Sequence, residues 1–176
     1  MFKVITDLSN FLLKHPTKRY AFRDTSTIDR IVVHQTAGAD QGKFTAYNVA
    51  NDHVNNNDWA GIGYHYLITD GGNIYQTNED NIISYHASGW NSRSIGVAIT
   101  GNHTLGQSID SKKYNALVYL LAKLCNKYNL SVDQIIGHNE TGSPKSCPNL
   151  NMDQLRSDVK KKGFIFGSQR VLSLSA

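Results

Sequence analysis

A mixed α/β domain, with a single mixed β-sheet flanked by helices, is the fold class that three observations predict. Short apolar strand patterns alternate along the chain with segments of helical periodicity. No repeat, low-complexity block or Pro/Gly/Ser-rich linker divides the 176 residues, so one core and one domain are expected. Two of the strand patterns end on a histidine that opens a loop, which is where α/β folds commonly place their sites.

The elements follow in order. Val4, Ile5, Leu8, Phe11 and Leu12 fall at helical spacing and predict a short amphipathic helix from Phe2 to Leu13, ended by Pro16. Residues 1–27 would then be a helical extension to a main domain spanning 28–163. Thr27 to His34 reads as a strand through Ile31-Val32-Val33. Phe44, Tyr47, Ala50 and Val54 mark a helix face before the polar loop Asn55-Asn56-Asn57-Asp58. Tyr64 to Thr69 is a strand, Asp70-Gly71-Gly72-Asn73 a turn, and Ile74-Tyr75-Gln76 the returning hairpin partner. Ser94 to Thr100 is the clearest buried strand. Asp110 or Ser111 caps a long helix that carries Leu117, Leu121, Leu124 and Tyr128 on one side. Gln134-Ile135-Ile136 is a short strand leading into His138. Met152, Leu155 and Val159 mark a last helix that Gly163 stops. Residues 164–176 read as a tail, either a returning strand or a frayed end.

Composition narrows the function classes. Lys and Arg number 18 against 14 Asp and Glu, a net charge of +4 with pI near 9.0. That mild excess suits an anionic polymer without demanding nucleic acid. Lys160-Lys161-Lys162 is too short for a basic tract and reads as a helix end. No apolar stretch has transmembrane length, so no membrane insertion is expected. Asp7 interrupts the first apolar run and no small-residue cleavage site follows, so no signal peptide is read. Synthesis in a cytoplasm, without export by the chain's own signal, is the expectation. Cys125 lies in an apolar helix pattern and reads as a small buried hydrophobe.

The second cysteine is different. Gly137-His138-Asn139-Glu140-Thr141-Gly142-Ser143-Pro144-Lys145-Ser146-Cys147-Pro148 places a His and a Cys nine residues apart across a turn-rich loop, with Lys145 two before the cysteine. Imidazole and thiolate are the ligand types zinc prefers. His34, at the end of its apolar strand, is the best candidate for a third ligand. Three protein ligands leave one zinc position open, which separates a catalytic site from a structural one. The other histidines have plainer readings. His15 and His103 are expected at the surface, and His53 on the polar face of its helix. His65 alternates with Tyr64, so only one of the two would face a shared site.

Ile31-Val32-Val33-His34-Gln35-Thr36-Ala37, Gly61-Ile62-Gly63-Tyr64-His65-Tyr66, Tyr85-His86-Ala87, Asn91-Ser92-Arg93-Ser94-Ile95-Gly96-Val97 and Gly137-His138 through Cys147-Pro148 occur in this order. Together they resemble the zinc-dependent N-acetylmuramoyl-L-alanine amidases, a family that includes short phage endolysins and peptidoglycan-recognition proteins. The resemblance covers roughly residues 28–160 and implies an amidase/peptidoglycan-recognition-like fold. It implies one Zn2+ per chain on His34, His138 and Cys147, with Tyr64 and Lys145 as catalytic residues beside it. It further implies bacterial peptidoglycan as the partner, met by Thr36, His86, Trp90, Asn91 and Arg93, and a monomer acting on the cell wall after release. Trp59 is expected at the same groove, and Glu140 either supports a metal ligand or is a surface loop carboxylate.

The implied chemistry is hydrolysis of the amide joining N-acetylmuramic acid to L-alanine. Zinc in such a site lowers the pKa of a bound water to about 7. Some relatives carry a glutamate where Tyr64 stands, so the proton acceptor is open here. Three other classes compete. A binding-only module typically lacks the cysteine. A structural zinc would need a fourth protein ligand. A cytoplasmic amidase recycling soluble wall fragments fits the same residues.

Overall fold

The computed structural model describes residues 3–37, 45–103 and 109–174, with residues 164–174 described by backbone alone. Its strands are β1 (Ile5–Asp7), β2 (Ala21–Phe22), β3 (Arg30–Gln35), β4 (Tyr66–Ile68), β5 (Ile74–Gln76), β6 (Ile82–Ile83), β7 (Ser94–Ile99) and β8 (Ile135–Gly137). Its helices are α1 (Ala46–Asn55), α2 (Ser111–Tyr128) and α3 (Met152–Leu174). Six strands form one mixed sheet in the order β1-β5-β4-β7-β3-β8, and β2 pairs with β6 in a small antiparallel ribbon. Only β4 and β5 run antiparallel within the large sheet, as the hairpin predicts.

The pleat sorts side chains onto two layers. Ile31, Val33, Ile95, Val97 and Ile99 join Leu117, Leu120, Leu121 and Leu155 from α2 and α3 in the larger core. Leu67 and Ala98 face the other way, onto Val49 and Ala50 of α1. Burial on both faces explains why β3 and β7 read as near-continuous apolar runs rather than alternating ones. Asp110 caps α2 by accepting the N–H groups of Lys112 and Lys113, and Asn129 closes it in the left-handed region at φ 53°.

The N-terminal helix is a correction. Ile5–Asp7 is a strand, parallel to β5 at the sheet edge. Val4 is 82% exposed and Phe11 73% exposed, so the helical stripe never forms a buried face. The free edge of β5 offers backbone hydrogen bonds that a short isolated helix cannot match, and the Asp7 carboxylate accepts the Ser9 N–H to turn the chain. Residues 3–27 are therefore built into the fold and are not a helical extension. The guanidinium of Arg23 donates to the carbonyls of Asp80, Asn91 and Ser94 and ties this segment to the later loops.

The C-terminal boundary also moves. Helix α3 continues through Gly163 to Leu174, so there is neither a stop at 163 nor a returning strand. One interior glycine costs a helix about 1 kcal/mol, and no proline follows to break it. The strand expected from Thr27 starts at Arg30, behind a 3₁₀ turn at Thr25–Thr27 capped by Asp24. Phe44 lies outside the described residues. His53 is buried rather than on a polar face; its Nδ1 accepts the Gly63 N–H at 2.9 Å.

Candidate metal centre and adjoining cleft

Sheet register brings the two candidate ligand histidines together. Val33 of β3 stands opposite Gly137 of β8, so the next residues, His34 and His138, emerge side by side with ring centroids 4.6 Å apart. Gly137 leaves room beside the turn that follows. A Cβ there would come within 2.3 Å of Asn139 Oδ1 and 3.0 Å of Pro148 Cδ. His138 opens a 3₁₀ turn, His138–Thr141, which Glu140 holds by accepting the Gly137 N–H at 2.7 Å. Arg156 on α3 grips the same carboxylate and also donates to Ile135 O, fastening the turn to the helix layer.

Cys147 returns to this point through the loop. Asn139 N–H donates to Cys147 O at 2.7 Å, and Gln35 N–H points at Cys147 Sγ at 3.3 Å. One ligand atom each from His34, His138 and Cys147 then lies within 4.8 Å of the others. Zinc bonds of about 2.0–2.3 Å put tetrahedral donor pairs roughly 3.3–3.8 Å apart, so the set fits the ion after small adjustment. The ionisation states suit it as well. Burial first, then His86, His138 and Lys145, holds His34 well below the usual imidazole range. Burial and Lys145 push His138 the same way, so both rings are neutral and available as donors. Burial raises the Cys147 thiol against the pull of Gln35 N–H and Lys145; a bound metal would deprotonate it outright.

Beside the three ligands runs a cleft of about 560 Å3, lined in part by Trp59, Tyr85, His86, Asn91, His138, Thr141 and Lys145. Lys145 is exposed there. Tyr64 lies against the other flank of the centre, its ring 5.5 Å from that of His34. Burial first, then the charges of Cys147 and Asp52, raises its phenol, so it carries its proton at neutral pH. Tyr64 precedes β4 and escapes strict strand alternation, while His65 turns into the interior and accepts the Gly96 N–H on Nδ1 at 3.0 Å. Tyr64 is thus the member of that pair at the centre.

The remaining predicted contacts divide. Asn91 lines the cleft, but its Oδ1 is engaged by the N–H groups of His86 and Ala87. Trp90 donates to Thr141 O at 3.2 Å, and Arg93 stacks on Trp90 and pairs with Asp29. Thr36 accepts the Gly101 N–H on its hydroxyl. Thr36, Trp90 and Arg93 are not among the cleft-lining residues. Glu140 supports the turn bearing His138. Sequence reasoning missed Tyr85, which meets Trp59 edge-on, and Gly96, over which the His86 ring packs. A lone glycine inside a buried strand run was the available signal for that close approach.

The family model described as N-acetylmuramoyl-L-alanine amidase matches residues 24–150, a stretch that contains His34, Tyr64, His138, Lys145 and Cys147. The chain is 32% identical over 133 residues to peptidoglycan-recognition protein SC2 of Drosophila simulans, covering 72% of this chain and 71% of that one. It is 27% identical to the endolysin of Escherichia phage T7, covering 76% of this chain and 89% of the endolysin. Among solved structures, the Ph2119 endolysin from a Thermus scotoductus bacteriophage superposes with TM-score 0.73 at 25% identity, over 89% of this chain and 99% of that one. With the family model spanning well over half of its length, the chain belongs to the N-acetylmuramoyl-L-alanine amidase family.

Proposed function

We propose that the chain is a zinc-dependent N-acetylmuramoyl-L-alanine amidase of the endolysin type, cutting the amide between N-acetylmuramic acid and L-alanine in peptidoglycan. The observation that carries this reading is a donor set of three, His34, His138 and Cys147, at the edge of a cleft. Among the described residues no fourth His, Cys, Asp or Glu joins that set, which favours an open, catalytic position over a structural zinc. Cys147, the ligand a binding-only module would lack, is in place. Zinc held there would supply Lewis acidity to the amide carbonyl and activate a water near neutral pH.

The chain's own residues supply the rest. Lys145 brings a positive charge to the cleft wall, where the carbonyl oxygen of the bound amide gains negative charge. Tyr64, protonated and next to His34, holds a proton to pass to the departing alanine nitrogen. Asn91 and Tyr85 border the space for substrate. Trp90 braces the Thr141 end of that wall. Among the described residues no helix is long and apolar enough to cross a membrane. We place the enzyme on the cell wall, reached after release from the host cytoplasm.

Digestion of purified peptidoglycan with mass spectrometry of the products tests the reading. Stem peptides beginning with L-alanine should be released and glycan strands left uncut. New reducing sugar ends without new alanine amino groups would make the enzyme a glycosidase, for which a pair of carboxylates across the bond would be needed.

A further inference from the structure

His86 is 8% exposed, lies 3.1 Å by Nδ1 from His34 Nε2, and is not one of the residues that make up the three-donor cluster. Its place is built from three sides. Asn91 Oδ1 accepts its backbone N–H. Gly96 leaves room for the ring; a Cβ at Gly96 would stand 2.6 Å from His86 Cγ. On the far edge, His86 Nε2 lies 3.4 Å from Ser94 Oγ.

Hydrogen-bond polarity along this line follows from its end. The Ser94 hydroxyl donates to Trp90 O at 2.7 Å, so Oγ turns a lone pair toward His86. His86 Nε2 therefore carries the ring proton and Nδ1 is an acceptor, since a neutral imidazole has one of each. Its two ring partners are an imidazole and a hydroxyl, and neither is a carboxylate that would hold a second proton on the ring. The hydrogen in the contact with His34 must then come from His34 Nε2.

We infer that His86 is a positioning residue: it accepts the Nε2 proton of His34, fixes that ring's tautomer and leaves Nδ1 as the nitrogen presented to zinc. The inference rests on the metal reading above and deepens it. Ligand histidines commonly donate their second ring N–H to an acceptor, and loss of that acceptor typically weakens metal affinity ~10–100-fold. Here the acceptor is a second histidine whose own polarity is set by Ser94 and Trp90. A His86 that served only to touch substrate would raise KM on removal and leave zinc affinity alone.

The test measures zinc affinity of the full-length protein by competition with a chromophoric chelator. His86→Phe, which keeps a ring but no acceptor, should bind zinc ~10–100-fold more weakly. His86→Asn, with an oxygen at the δ1 position, should recover most of that loss. Nitrogen-15 NMR of the zinc-loaded parent should show His34 protonated at Nε2 and His86 at Nε2, and it decides the matter if His86→Phe does not fold. Tight zinc binding by the parent together with unchanged affinity in His86→Phe, or a His34 protonated at Nδ1, overturns the inference alone. A parent chain that does not hold zinc overturns the metal reading and this inference with it.

Discussion

Lys145 helps depress the pKa of both His34 and His138, so its charge is felt at the three-donor cluster as well as along the cleft wall. That placement separates two kinds of substitution. Lys145→Ala should lower kcat by ~10²–10³, the usual cost of one donor to a developing oxyanion, with zinc content and substrate binding nearly unchanged. Cys147→Ser should lose zinc and activity together. Metal analysis beside steady-state kinetics distinguishes them, and a Lys145→Ala effect confined to KM would make the lysine a binding group only. The residues that the structure gathers here were legible because each stands at the end of an apolar run or inside a short loop. Their spacing is local information. Tyr85 carried no such signal, and Gly96 marked a close approach without naming the His86 ring that fills it, since that depends on how the loop before β7 folds over the strand.

Between residue and fold stands the short turn that carries His138, and its stability is borrowed from α3. Arg156 donates to both oxygens of Glu140, at 3.0 and 3.1 Å, and to Ile135 O at 3.0 Å. Removing it takes one donor from a β8 carbonyl and frees the carboxylate that holds Gly137 N–H. Arg156→Met should therefore cost about 1–2 kcal/mol, at the lower side of charged hydrogen bonds because the pair is partly solvated. It should also loosen zinc, since His138 is the first residue of the turn. A urea midpoint equal to the parent's would show that the turn stands without the helix. Elements with strong local signals were read correctly: the Asp110-capped α2, the hairpin of β4 and β5, and the buried β7. The edge strand β1 was misread because Val4, Ile5 and Leu8 satisfy a helical template as well as a strand one. Only the unfilled edge of β5, a tertiary fact, decides between them. Gly163 misled in the opposite sense, since a glycine is a weak stop without a proline behind it.

Across the whole molecule, the buried histidines set the acid limit of the fold. His53 is pushed down to about 4 by burial, and His65 to about 3 by burial and the Arg23 charge beside it. Neither belongs to the three-donor cluster. An unfolded chain would titrate both near 6.5. Between pH 6.5 and 4 the unfolded state therefore binds more protons than the folded one, and stability rises with pH over that window. Each such histidine contributes a slope of up to about 1.4 kcal/mol per pH unit, so this pair alone approaches about 3 in the steepest part. His34, His86 and His138 are shifted in the same direction and add to it. Carboxylates held low by partners, such as Asp29 beside Arg93, act only further down, below about pH 4. The acid loss should thus begin well above the carboxylate range. Denaturant unfolding of metal-free protein from pH 7 to 4.5 measures it directly. A midpoint that stays level across that range would mean the histidines take up protons without opening the fold, and the neutral, packed arrangement of these rings would have to be abandoned.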